Sequence, residues 1–166
     1  MIRHNTAVFS LDRAHRYTLW RNWAEDQSCP FVQFIGLNPS TADETLNDPT
    51  VRRCINYAMA WGYGAMCMTN LFALRATDPR VMIASNDPKG QFADEWLETI
   101  SASAALVVPC WGVHGSHLGR SSYVRRVTLE RARLAGKVSV LKLTKGGEPS
   151  HPLYLRSDLR PFAWKS

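Results

Sequence analysis

The sequence predicts an α/β fold: a three-layer α/β/α sandwich with a central four-stranded parallel sheet and a short antiparallel β unit at its N-terminal end. Three observations predict it. Four apolar runs of strand length recur along the chain, separated by three helix-period segments. The runs are almost continuously apolar, as strands covered on both faces are. The chain has 166 residues, which suits one domain over 1–166 better than two.

Thr6 to Ser10 and Tyr17 to Trp23 are short β-prone runs joined by a polar link, and they form the antiparallel unit. Phe31 to Leu37 is the first buried strand, and it ends in the turn signal Asn38-Pro39-Ser40-Thr41. A helix then runs from Pro49 or Thr50 to Trp61, with Val51, Cys54, Ile55, Ala58 and Met59 on one face and Gly62 and Gly64 at its end. Ala65 to Leu71 is the second strand, and Asp78-Pro79 opens a turn. Phe92 to Ser101 is helical, with Phe92, Trp96 and Ile100 four residues apart. Ala104 to Cys110 is the third strand. Ser121 to Ala135 is a basic helix closed by Gly136, and Val138 to Leu143 is the fourth strand.

The composition is 45% hydrophobic and 20% charged, which excludes a disordered chain. No apolar run reaches the roughly 20 residues that cross a bilayer. The N-terminal Met1-Ile2-Arg3-His4-Asn5 lacks the apolar segment of a secretion leader. The expectation is a cytoplasmic protein with no membrane partner. Its net charge of +6 is unevenly spread. Residues 1–119 carry nine Lys/Arg against eleven Asp/Glu, and residues 120–166 carry eleven against three. A basic end on a near-neutral domain suits a polyanion, although a solvated helix face reads the same way. Cys29, Cys54, Cys67 and Cys110 include no C-x-x-C pair, so they read as buried thiols and no metal or cofactor is expected.

In a parallel sheet of this kind, ligands bind beyond the carboxyl ends of the strands. The segments there are Asn38-Pro39-Ser40, Asn70-Leu71, Trp111-Gly112 and, after a longer loop, His151-Pro152. Two carboxamides, an indole and an imidazole would share one rim, a set made to hydrogen-bond a planar polar ligand.

These segments resemble the uracil-DNA glycosylase superfamily. Gly36-Leu37-Asn38-Pro39-Ser40 is similar to the first active-site motif in its Gly-x-Asn-Pro-Gly form, with Ser40 in place of the last glycine. That form belongs to the mismatch-specific and single-strand-selective branches. Met68-Thr69-Asn70-Leu71 is similar to the base-reading Thr-Asn segment, and Ala73 to Pro79 continues the likeness, with Arg75-Ala76 where Arg-Pro is usual. Val107 to Gly112 falls where the family has a buried strand ending in glycine, and Ser150-His151-Pro152-Leu153 resembles the second motif loop. The polar loop 41–50 matches no branch closely. The chain is also similar to a group of small bacterial and phage proteins of unassigned function.

The resemblance implies a monofunctional DNA glycosylase, acting as a monomer on DNA with a uracil or modified base and leaving an abasic site, in base-excision repair or in defence against phage. It implies that Asn38 places the attacking water through its side-chain carbonyl. Asp43 and Asp48 are the nearest acids to serve as base, although a loop aspartate and an N-cap explain them equally. Asn70 has a donor and an acceptor for a pyrimidine edge. His151 would donate to the base oxygen as charge builds there. Gly36, Pro39, Ser40 and Trp111 would complete the base site. Leu153 or Tyr154, carried by Pro152, would fill the gap left in the duplex. One ring, Tyr57, Trp61 or Trp111, would stack on the flipped base, and the sequence does not choose among them. Arg120, Arg125, Arg126, Arg131 and Arg133 would supply two or three phosphate contacts. A hydrolase or transferase on a free nucleoside or nucleotide is the alternative enzyme. A non-catalytic DNA-binding module is the other alternative.

Overall fold

The structure is a computed structural model that describes residues 5–26 and 28–165. Met1 to His4, read above for a leader, lie outside the described residues. The sheet is five-stranded and mixed, in the order β1-β2-β4-β3-β5. The strands are β1 (Thr6–Phe9), β2 (Arg16–Asn22), β3 (Phe31–Gly36), β4 (Ala65–Asn70) and β5 (Leu106–Pro109). β3 lies parallel to both β4 and β5, while β2 runs antiparallel to β4 and carries β1 beside it.

This corrects the four-stranded parallel sheet. The N-terminal hairpin is part of the sheet, because Leu19 to Asn22 pair with Met68 to Ala65. The expected fourth strand shrinks to one parallel bridge, Val107 to Val138. Ser139–Val140 (β6) then pairs antiparallel with Phe162–Ala163 (β7), in a separate two-stranded sheet.

Alternation along the strands builds two cores. Phe31, Ile35, Ala65, Cys67, Trp20 and Val107 face one side, against α3 (Ala93–Ser103) and the helical stretch 120–134. Val32, Phe34, Met66, Met68, Leu19 and Val108 face the other, against α1 (Pro49–Ala60). Helices therefore cover both faces. α1 starts at Asp48, whose carboxylate accepts from Val51 N–H at 2.8 Å, with Pro49 at the first helical position. Its buried face uses Tyr57, whereas Met59 is 49% exposed.

Two helices differ from expectation. Asp78-Pro79 opens a six-residue helix, α2 (Pro79–Ala84), with Asp78 as its N-cap. The basic helix is three pieces: α4 (Arg120–Tyr123), a π-helical turn over Val124–Thr128, and α5 (Glu130–Leu134). Among the described residues no helix is long and apolar enough to cross a membrane.

Candidate functional site

The carboxyl ends of β3 and β4 diverge into loops that border a cavity of about 530 Å³. Asn38, Asn70 and His151, taken from three distant parts of the chain, all line it. Each is placed by backbone hydrogen bonds. The β3–β4 ladder runs past the strand ends, with Leu71 N–H donating to Gly36 O and Phe72 N–H to Leu37 O. His151 arrives on a hairpin: Leu143 and Pro149 bridge, Ser150 N–H donates to Lys142 O, and Gly112 N–H donates to Pro149 O. Gly112 has φ +77°, a conformation that favours glycine, and its backbone packs beside His151.

The carboxamide of Asn38 has a fixed orientation. Its Nδ2 donates to Ala76 O at 2.8 Å, Pro39 O at 3.1 Å and Leu74 O at 3.3 Å. The amide end is consumed by the protein, which leaves Oδ1 as the group free for a ligand or water. Asn70 is 6% exposed, and its Nδ2 is buried without a hydrogen-bond partner. Gly36 pairs with it across the ladder, and a Cβ on Gly36 would lie 2.7 Å from Asn70 Oδ1. A larger residue at 36 would displace the carboxamide. His151 Nδ1 accepts from Leu153 N–H at 3.3 Å. The neutral ring therefore carries its proton on Nε2, which is a donor. Burial pushes its pKa below the ordinary value, against the pull of the Asp48 charge.

Asp48 is the single carboxylate among the described residues lining the cavity. It is 8% exposed, with Oδ1 capping α1. Asp43 does not line the cavity. Its carboxylate accepts from Leu46 and Thr45 N–H, and these bonds hold its pKa down. It is a loop aspartate, which removes it as a base. Ser40 lines the cavity and donates to Thr77 Oγ1 at 3.3 Å, while Pro39 is buried behind it and accepts from Ala76 N–H.

Arg16 was not foreseen in the sequence. It is 2% exposed and lines the cavity. Nη1 donates to Ala42 O at 2.7 Å, and Nε is buried without a partner. Desolvation lowers its pKa to about 10, opposed by Asp48, so it stays a cation at neutral pH. It stands here because β2 runs antiparallel to β4, which brings the first residue of β2 to the carboxyl end of β4, where Arg16 N–H donates to Ala73 O.

The model of a family described as "Protein of unknown function (DUF1643)" matches residues 16–153. The chain belongs to that family. No curated protein and no solved structure matches it. The DUF1643 span takes in every cavity-lining residue except Tyr154.

Several of the expected site residues stand elsewhere. Trp111 is 1% exposed and gives the cavity a wall, but its Nε1–H donates to Glu148 Oε2 at 2.5 Å and is unavailable to a base. Tyr57 and Trp61 stack on each other and donate to Arg156 O and Leu159 O, away from the cavity. The exposed phenol on the cavity is Tyr154, 87% accessible, with the half-buried Leu153 beside it and the exposed His114 also on the lining. Pro152 is buried at the start of their turn.

Arg120 is not a phosphate contact. It is buried, donates to Leu71 O through Nε and pairs with Asp94, which also holds Lys89 at 3.1 Å. Arg125, Arg126 and Arg133 line a second cavity of about 520 Å³ with Ser121 and Ser122. Arg125 lies over the Trp164 ring at 4.1 Å. Glu148 connects the two cavities, accepting from Trp111 and from Ser121 Oγ at 2.8 Å.

Proposed function

We propose that this chain is a DNA glycosylase of the uracil-DNA glycosylase type, in fold as in chemistry. It takes a uracil or modified base turned out of DNA and hydrolyses its N-glycosidic bond, leaving an abasic site. The observation that carries this reading is the meeting of Asn38, Asn70 and His151 on one cavity, with Asn38 clamped so that only its carbonyl is offered.

Cleavage passes through a cation-like sugar, and the base departs with the bonding electron pair. Asn38 Oδ1 accepts a hydrogen bond from the attacking water and aims its oxygen at the sugar carbon. Asp48 is the cavity's acid and takes the proton that the water sheds as the new C–O bond forms. His151 Nε2–H donates to a base oxygen as negative charge accumulates there. Asn70 reads the base edge. Leu153 and Tyr154 stand in the vacated position in the stack. Arg125 and Arg126 meet phosphates in a salt-dependent manner. The protein acts as a monomer in the cytoplasm, without cofactor, in base-excision repair or in defence against phage with modified bases.

The test incubates the protein with single- and double-stranded DNA containing plain, uracil and modified bases, followed by alkali. Strand breaks at one class of base are expected. DNA binding without breaks on any substrate would leave a non-catalytic binding module. The buried cation of Arg16 favours a second reading, an enzyme of free nucleotides. Affinity for duplex that falls steeply with salt speaks for the glycosylase, and its absence for the nucleotide enzyme.

A further inference from the structure

The cavity holds two buried donors that the protein itself does not satisfy. Arg16 Nε and Asn70 Nδ2 are both buried and unpartnered, in residues that are 2% and 6% exposed. A guanidinium has five N–H bonds, and the side chain of Arg16 spends one of them on Ala42 O. Asp48 lines the same cavity, yet no ion pair joins it to Arg16 among the described residues. Buried cations in folded proteins are normally paired, because an uncompensated charge costs several kcal/mol. Asp48 supports the Arg16 charge from across the cavity without bonding to it, so the guanidinium's open N–H bonds are left for a ligand.

The remaining cavity groups sort by chemistry. Asn38 Oδ1 and Asp48 accept, whereas Arg16, Asn70 Nδ2 and His151 Nε2–H donate. A plain pyrimidine answers Asn70 and His151 with its carbonyls. A neutral carbonyl does not compensate the guanidinium. An oxyanion does both, since it is charged and accepts several hydrogen bonds at once. The volume of about 530 Å³ falls in the range of sites that hold a substituted ligand.

We infer that the cavity takes a planar base bearing an oxyanion, a carboxylate or a phosphate, held by Arg16 and Asn70. This rests on the base-binding reading of the cavity and adds the charge class of what it binds. The carboxylate would belong to a modified base and the phosphate to a nucleotide.

Calorimetric titration of the full chain at neutral pH with uracil, orotate (6-carboxyuracil), dUMP and inorganic phosphate tests it. Orotate or dUMP is expected to bind roughly 10- to 100-fold more tightly than uracil, the range of one charge-assisted hydrogen-bond set. Preference for orotate assigns a carboxylated base, and preference for dUMP a nucleotide phosphate. Arg16→Gln should reduce the preferred ligand to the level of uracil, and Arg16→Lys should restore part of the difference. If Arg16→Gln does not fold, the wild-type series decides alone. Equal affinity for uracil, orotate and dUMP overturns the inference, as does binding of none. Inorganic phosphate binding as tightly as dUMP also overturns it, because the base then contributes nothing. Base release from uracil-containing DNA without an oxyanion preference sinks this inference and spares the glycosylase. An oxyanion preference without base release from any DNA does the reverse.

Discussion

β2 carries two buried arginines, Arg16 and Arg21, that are used in contrary ways. Arg21 donates to Asn47 Oδ1, Trp20 O, Asp43 O and Leu46 O, and so ties the loop 43–47 to the strand. Arg16 has one side-chain partner and faces the cavity. β4 repeats the contrast one residue apart. Thr69 accepts from Gln33, and Gln33 accepts from Ser101, in a closed network within the core. Asn70, next along, has an amide with no partner. Polar groups that serve the fold are mostly satisfied by the fold. Arg16 and Asn70 keep open donors on the cavity, while Thr18 Oγ1, Arg53 Nε and Arg133 Nε are buried without a partner away from it.

The largest effect expected is on chemistry. Asn38→Ala should slow base release by on the order of 100- to 1,000-fold while DNA affinity changes little. Single-turnover release beside equilibrium binding checks this, and unchanged release would remove Asn38 from the mechanism. Next comes a structural effect where a DNA contact was expected. Arg120→Ala should lower unfolding free energy by roughly 1–3 kcal/mol, because the buried Leu71 O loses its donor and Asp94 keeps only Lys89. Denaturant titration reads the loss, and the folded variant should bind DNA as before. The third prediction splits the two β4 neighbours. Gln33→Leu should cost roughly 0.5–1.5 kcal/mol by removing its bonds to Thr69 and Ser101, whose hydroxyls keep backbone acceptors at Phe34 O and Leu97 O. Asn70→Leu removes a donor that had no partner, so stability should hold or rise while base selection is lost. Equal destabilisation by the two would break the comparison.

The smallest effect concerns pH. His151 has its pKa depressed in the folded protein, chiefly by burial. The unfolded chain therefore binds more protons between the depressed value and the ordinary 6.5. Stability is complete above that ordinary value and declines as pH falls through the window. His151→Gln should flatten this decline. Thermal melts across the window check it, and parallel curves for the two proteins would contradict the assignment.

Much of this arrangement is written in local pattern. The apolar runs located β3, β4 and β5, and Asp48-Pro49 marked the start of α1. The same Asp-Pro signal at 78–79 opens α2, which reads as a turn because six residues hold too little periodicity to distinguish. The run 138–143 misleads because Ser139 and Lys142 interrupt it, and β7, far along the chain, takes its pairing. Asn38, Asn70 and His151 were legible from their places after strands. Arg16 was not, since nothing local reveals that the N-terminal hairpin docks antiparallel on β4. Nor does local pattern distinguish Arg120, inside an Asp94 pair, from Arg126 on the surface.

The clamp on Asn38 has a reach beyond its own strand. Two of the three carbonyls that hold Nδ2, those of Leu74 and Ala76, belong to the segment following β4. Lengthening or shortening that segment would turn the carboxamide around while every cavity side chain kept its identity. Relatives with the same inventory of cavity residues would then differ in whether they present an acceptor or a donor to the reacting centre. In such a lineage a change of activity begins with an insertion or deletion in the backbone after β4.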